Sequence, residues 1–440
     1  MAMALATDLY ELNMAASYLR RAMVGPATFS LFVRRLPPDR GFLVAGGLED
    51  CLAYLESFGF EEQELSWLRD AGFDERALED LSHLRFTGDL WAVPEGRVVF
   101  PDEPILEVTA PIAEAQLVET VLVNHVTFQS AVATKAARCR LAAPGIELVD
   151  FALRRTHGLE AGMAVARQSA IAGFTATSNV EAARRYKLTA AGTMAHSYIE
   201  AFEDEIDAFR AFAQDFPTRT TFLVDTYEPL SGVERAIEVI GELGLSEGLG
   251  VRLDSGDVMS LSRSTRRMLD AAGLSRVRIF VSGGLDEYDL EQLSAEHAPI
   301  DAVGIGTKMG VSADAPSLDS AYKLVAYGDR AVMKLSEGKA TLPGAKQVWR
   351  PPHVIDDILG LREEPCPAGH EPLLVPVMRR GERVAPGDSI HQARARLAAD
   401  LDALPAATRD LHDPQPLPVR VSEALRALAD ETRARHSGRR

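Results

Sequence analysis

Seven short segments, each just after an apolar run of strand type, hold the residues of this chain whose chemistry suits a phosphorylated sugar. They are Arg154-Arg155, Ser178-Asn179, Gly192-Thr193-Met194-Ala195-His196, Asp225-Thr226, Arg252-Leu253-Asp254-Ser255-Gly256-Asp257, Ser282-Gly283-Gly284 and Gly304-Ile305-Gly306-Thr307. Glycines let backbone N–H groups approach an anion, a following helix start adds favourable potential, and Thr307 can donate a hydroxyl hydrogen bond. One such loop is weak evidence; two in adjacent positions, Ser282 to Gly284 and Gly304 to Thr307, match the phosphate site that parallel barrels build late in their strand order. Tight turning alone is the competing explanation.

Arg252 and Asp254 alternate along one strand end and so share a face. The guanidinium suits a carboxylate or phosphate, and Asp254 and Asp257 suit ribose hydroxyls or a hydrated Mg²⁺; an internal ion pair is the alternative. Arg154 and Arg155 form a second cationic patch, and Lys135 and Arg138, one helical turn apart, can approach from the preceding helix. His196 can serve as a base or accept a phosphoryl group on a ring nitrogen, and it has no partner at zinc-ligand spacing.

These segments need a scaffold that brings distant positions together. Apolar runs at 147–153, 170–174, 188–191, 221–224, 248–253, 277–281 and 301–305 alternate mostly with helix-like stretches, which predicts right-handed βαβ units and a parallel sheet. The C-terminal strand ends of such a barrel converge on one mouth. Before it, the pattern is mixed. A helix is expected from Leu9 to Arg21 behind Thr7-Asp8, a strand from Ala27 to Val33, a hairpin from Trp91 to Phe100, and a helix from about Ala115 to Arg140. The fold class is therefore α/β: an irregular parallel α/β barrel over 131–340, an N-terminal mixed α+β domain over 1–130, and a segment 341–440 that completes the first domain or caps the site.

The chain has 440 residues, 46% of them apolar and 25% charged, as in a soluble globular protein. A net charge of −17 argues against a nucleic-acid binder, so an anionic ligand needs a local cluster of cations. Three separated cysteines, no leader-like start and no membrane-length apolar run lead to the expectation of a cytoplasmic protein without membrane contact. The basic end, Arg433 to Arg440, reads as a solvated tail.

Thr7-Asp8-Leu9-Tyr10, Arg154-Arg155-Thr156-His157-Gly158, Gly192-Thr193-Met194-Ala195-His196-Ser197, Arg252-Leu253-Asp254-Ser255-Gly256-Asp257 and Pro343-Gly344-Ala345-Lys346-Gln347-Val348 together resemble, in order, the nicotinate phosphoribosyltransferase family. The resemblance implies synthesis of nicotinate mononucleotide from nicotinate and 5-phosphoribosyl 1-diphosphate, with Mg²⁺, and with ATP as cosubstrate through a phosphohistidine at His196. It implies nicotinate contacts at Tyr10, Thr193 and Arg252, 5-phosphate binding at Thr307 with Ser282, Gly283, Gly284, Gly304 and Gly306, and a homodimer with shared active sites. Arg154, Arg155, Lys135 and Arg138 remain the candidate diphosphate cations, with Arg155 and Asp254 beside His196 as catalytic residues. Phe151-Ala152-Leu153 departs from the family, whose members more often show Phe-Gly there. Three rival readings stay open: nicotinamide transfer, quinolinate transfer, and a non-catalytic nucleotide-binding regulator indifferent to loss of His196.

Overall fold

The computed structural model describes residues 4–336 and 341–437. They divide into two units, one comprising 4–134 with the described residues from 315 onward and the other 135–314. Segment 315–336 thus groups with the first unit, where strand Ser320–Tyr327 pairs with strand Pro26–Val33; 337–340 lie outside the described residues.

The first unit is built on a seven-stranded sheet in the order Arg330–Ala331, Ser320–Tyr327, Pro26–Val33, Pro104–Pro111, Asp89–Ala92, Val375–Arg379, Glu382–Arg383. Strand Pro26–Val33 sits between two antiparallel partners and is buried on both faces from Ala27 onward. Phe29 stacks on Tyr322 at 4.8 Å between ring centres. A second sheet joins Glu371–Pro372, Lys346–Arg350, Ile358–Leu361 and Arg420–Val421. The last hundred residues therefore extend the first sheet by two strands and form the second sheet by themselves.

The expected hairpin from Trp91 to Phe100 does not form. Asp89–Ala92 pairs with Pro104–Pro111 and Val375–Arg379, whereas Val98–Val99 pairs with Leu43–Val44. The intervening turn explains why: Gly96 N–H donates to Ala45 O and Ala45 N–H to Arg97 O, so a different strand takes the backbone groups that would close the hairpin. At the basic end Arg433 to Arg435 are exposed, as expected of a solvated tail, but the backbone there is helical. Helix Glu423–Ser437 runs through it, with Arg433–Asp430 and Arg435–Glu431 ion pairs along its exposed side; 438–440 lie outside the described residues.

The second unit holds seven parallel strands, Glu147–Asp150, Ala176–Thr177, Thr189–Ala190, Thr221–Leu223, Gly250–Leu253, Arg278–Val281 and Ala302–Ile305. Neighbouring strands are consecutive in the chain, and the last, Ala302–Ile305, pairs with the first, Glu147–Asp150. This is the cyclic order of a parallel barrel with one seam open, between Thr189–Ala190 and Thr221–Leu223. Segment 191–220, which carries His196, connects the two edges of that seam. The expected strand at 170–174 is instead the end of helix Leu159–Ile171 and the turn at Gly173. Short apolar runs suit a buried helix end as well as a strand, and here 164–171 are all buried.

Candidate active site

Strand Gly250–Leu253 buries Val251 and Leu253 completely, which sends the alternating Arg252 side chain to the other face. The guanidinium is a hub that joins the end of its own strand to two others. Its Nε donates to Ser282 Oγ at 2.8 Å, Nη1 to Thr193 Oγ1 at 3.1 Å and Nη2 to Asp254 Oδ1 at 2.6 Å. It also lies 5.4 Å above the Phe151 ring centre. Arg252 is not at an open strand end: its side chain is only 11% exposed.

Asp254 takes a second hydrogen bond from the Ser282 hydroxyl on the oxygen that Arg252 holds. Burial alone would raise its pKa; the Ser282 hydroxyl, the Arg252 guanidinium and His196 outweigh burial and hold the carboxyl below its ordinary range. Its other oxygen faces His196 Nε2 at 3.8 Å, and His196 Nδ1 is 3.1 Å from Thr226 Oγ1. The ring stands at the start of helix His196–Glu200 with its side chain 40% exposed. Beneath Asp254, buried Asp225 accepts from the Asp254 N–H at 2.8 Å and the Ser255 hydroxyl at 2.6 Å.

The loop after strand Arg278–Val281 turns through two positive-φ glycines, Gly283 at +116° and Gly284 at +75°. A Cβ on Gly283 would stand 2.2 Å from Asp254 O, so only glycine lets the loop pack on the Arg252 strand; at Gly284 the same space is open. Gly304 does a different job from the loop role expected of it. It lies inside strand Ala302–Ile305, where a Cβ would meet the Phe151 ring at 2.6 Å, so its missing side chain seats the ring under Arg252. The second loop begins at Gly306, followed by exposed Thr307.

Arg154 and Arg155 occupy a 3₁₀ turn after strand Glu147–Asp150, and their exposed guanidinium groups have no carboxylate partner among the described residues. Ala152, the departure from Phe-Gly, is fully buried, and a Cβ on Gly310 would lie 2.5 Å from its methyl group. Lys135 and Arg138 do not join the phosphate-facing groups. They are buried and held by Glu287, at 2.5 and 2.9 Å, with Asp314 2.8 Å from Lys135. A desolvated cation needs a fixed counter-charge, and these acids supply it within the fold. Asp257 is likewise committed in part, its Oδ1 accepting from Ser260 N–H at the start of helix Val258–Ala271. Tyr10 belongs to the first unit, on helix Leu9–Arg20; it is half-exposed and donates to Glu11 Oε1 at 3.2 Å. Burial, then Glu119 and Glu11, push its phenol up.

The donor set suits a hard divalent cation. Asp225 Oδ1 is buried without a hydrogen-bond partner and Asp254 turns its second oxygen outward, both being oxygens of the type Mg²⁺ takes. No cluster of three metal-ligating side chains occurs among the described residues. Sequence reasoning placed Asp225-Thr226 among the ligand-facing segments without a task for either residue, and gave Phe151 none. A signal existed for Asp225: an acid directly after the buried run Phe222-Leu223-Val224 is seldom buried without a task.

Profiles described as the nicotinate phosphoribosyltransferase N-terminal domain, family and C-terminal domain match residues 5–127, 146–327 and 353–429. Over 441 residues the chain is 47% identical to nicotinate phosphoribosyltransferase pncB2 of Mycobacterium tuberculosis, covering 99% of this chain and 94% of that one. It is 43% identical over 358 residues to nicotinate phosphoribosyltransferase of Bacillus subtilis, covering 79% and 73%. Among solved structures, human nicotinic acid phosphoribosyltransferase superposes with a TM-score of 0.86 at 31% identity, covering 97% of this chain and 99% of that one.

Proposed function

Because the chain belongs to the nicotinate phosphoribosyltransferase family, we propose that it joins nicotinate to 5-phosphoribosyl 1-diphosphate, forming nicotinate mononucleotide and diphosphate for NAD salvage. ATP hydrolysis is coupled to this transfer through a phosphate carried by His196. The observation that carries the reading is the Arg252 hub, a guanidinium braced by Thr193, Ser282 and Asp254 beside an accessible histidine.

The pyridine nitrogen has a lone pair and no proton to lose, so its attack on the anomeric carbon needs no general base. The bond from that carbon to the diphosphate oxygen breaks, and diphosphate departs with the electron pair. Catalysis then rests on alignment and charge. Arg252 and Thr193 hold the nicotinate carboxylate. Asp254, kept ionised by its neighbours, faces the positive charge that develops on the ribose. Arg154 and Arg155, without a carboxylate partner among the described residues, meet the diphosphate, and the loops at Gly283-Gly284 and Gly306-Thr307 take the 5-phosphate. Mg²⁺ would be held by Asp254 and Asp225 and would supply charge neutralisation to the departing diphosphate. In the coupled step a ring nitrogen of His196 takes the γ-phosphoryl group of ATP, releasing ADP, and later gives it to water.

The pairing of two copies also fits. Leu159, Val180 and Tyr227, at 77%, 73% and 60% exposure, all follow C-terminal strand ends, and Leu9 and Tyr10 are similarly exposed on the first unit. A second copy's Leu9–Arg20 helix would cover such a surface and bring Tyr10 to the pyridine.

Labelled nicotinate and nicotinamide, each with and without Mg²⁺-ATP, test the reading. Nicotinate alone should be converted, and labelled ATP should leave an acid-labile, base-stable phosphate on the protein that His196→Ala abolishes. Equal use of nicotinamide would overturn the substrate assignment. ATP hydrolysis in step with synthesis in the alanine variant would overturn the phosphohistidine.

A further inference from the structure

The two glycine loops leave neighbouring strands, Arg278–Val281 and Ala302–Ile305, whose pairing reaches only Val281 opposite Val303. Beyond that point no strand ladder holds one loop against the other. An anion gripped by both needs their separation held to a fraction of an ångström, since backbone donors weaken steeply when displaced.

Lys308, the residue after Thr307, bridges that gap. Its Nζ lies 2.9 Å from Asp286 Oδ2 and 3.3 Å from Asp289 Oδ2. Those acids form the capping box of helix Glu287–Ala295, which starts directly behind Ser282-Gly283-Gly284: Asp286 accepts from the N–H groups of Tyr288 and Asp289, and Asp289 accepts from Asp286 N–H. The lysine therefore grips the one helical turn that fixes the first loop. A deeper tie runs in parallel. Glu287 of the same turn is fully buried and bonded to Lys135 and Arg138, and Lys135 also holds Asp314, which ends the segment begun by Thr307. The two lysines thus join the helix behind one loop to the segment behind the other at two depths.

We propose that Lys308 is a positioning residue that latches the Ser282–Gly284 loop to the Gly306–Thr307 loop, so that both present their donors to one phosphate. The inference rests on the assignment of these loops to the 5-phosphate. Its side chain is 42% exposed, and an ion pair that wet adds little to folding. The latch should therefore act on anion affinity far more than on stability, which separates it from an ordinary surface ion pair.

Calorimetric titration of the full chain with ribose 5-phosphate gives a readout that does not require turnover. Lys308→Met should weaken ribose 5-phosphate binding and raise the KM for 5-phosphoribosyl 1-diphosphate, each about tenfold, with the nicotinate KM changed by less than about twofold. Lys308→Arg, which keeps the charge, should recover most of the loss. Arg210→Ala, which breaks an exposed pair with Glu242 elsewhere in this unit, should leave the titration unchanged. Unaltered ribose 5-phosphate binding in Lys308→Met would overturn the latch, as would a loss that follows melting temperature and is not restored by arginine. Failure of the parent to bind ribose 5-phosphate would overturn it too. A parent that binds ribose 5-phosphate but makes no nucleotide from nicotinate would refute the transferase reading alone, with the latch still decided by the titration.

Discussion

Arg154 and Arg155, in the turn after strand Glu147–Asp150, stand in solvent without a carboxylate partner among the described residues, whereas Lys346 and Arg350, on one strand of the other unit, are buried among fixed acids. Lys346 Nζ is 3.2 Å from Glu107 and donates to Ser30 Oγ at 2.8 Å; Arg350 is clasped by Asp357 at 2.6 Å and Asp400 at 3.0 Å. Both pairs fall in or beside motifs that resemble the family, and both read as cationic in sequence. The buried pair spends its charge inside the fold, Lys346 joining its strand to Pro26–Val33 and Pro104–Pro111, and Arg350 to Asp357, Asp400 and the Val98 carbonyl. The exposed pair keeps its charge for a ligand. Lys135 and Arg138 fall with the buried class and Arg252 lies between, which makes partner and depth, rather than residue type, the indicator of a substrate role.

Three substitutions test this ordering. Glu107→Ala should have the largest effect, because Glu107 is fully buried and serves Lys346, Arg362 and the Ser30 hydroxyl together. Leaving two cations without their counter-charge should cost about 3–5 kcal/mol of unfolding free energy. Chemical denaturation reads it, and a loss below about 1 kcal/mol would mean that water reaches the network.

Arg252→Ala should act on both folding and catalysis. Loss of the carboxylate fork should reduce kcat/KM for nicotinate by about a hundredfold, roughly 2.7 kcal/mol, while unfolding loses about 1–3 kcal/mol from the deserted Ser282 and Asp254. The pH dependence has a definite sign. Asp254 has a depressed folded pKa, so its contribution is present above the ordinary carboxylate value near 4 and fades as pH falls through the folded value. The stability deficit of Arg252→Ala should accordingly be full at neutral pH and shrink in acid; a deficit independent of pH would detach Asp254 from Arg252.

Arg155→Ala should have the smallest effect on folding, within about 0.5 kcal/mol, since no partner is deserted. It should still reduce kcat/KM for 5-phosphoribosyl 1-diphosphate by about tenfold or more. A melting shift larger than that on activity would place Arg155 among the structural cations.

Much of this organisation was legible in the residue pattern. Six of the seven parallel strands fall within the expected apolar runs, because short buried strands flanked by helices leave an alternation that survives in one sequence. The exception at 170–174 failed where a helix end and a strand demand the same apolar residues. The hairpin at Trp91 failed because its partner strands come from Leu43–Val44 and Pro104–Pro111, a choice that local pattern does not encode. The convergence of Arg252, Asp254, Thr193 and His196 was expected from placement after strands. Asp225 and Thr226 were marked as a ligand-facing segment but drew no specific task, since an acid beneath a site and a hydroxyl beside a histidine look like any others.

Local chemistry thus determined which residues could bind phosphate, carry a phosphoryl group or turn a loop, because glycine, arginine and histidine have those capacities wherever they stand. Only the tertiary structure decided which cations remain free to use them. Lys135 and Arg138 are spent on Glu287 and Asp314, Gly304 is filled by Phe151, and Arg154 and Arg155 are left open. Burial sets that division, because a charge removed from water must find its partner within the fold, and the partner here lies more than a hundred residues away in the chain.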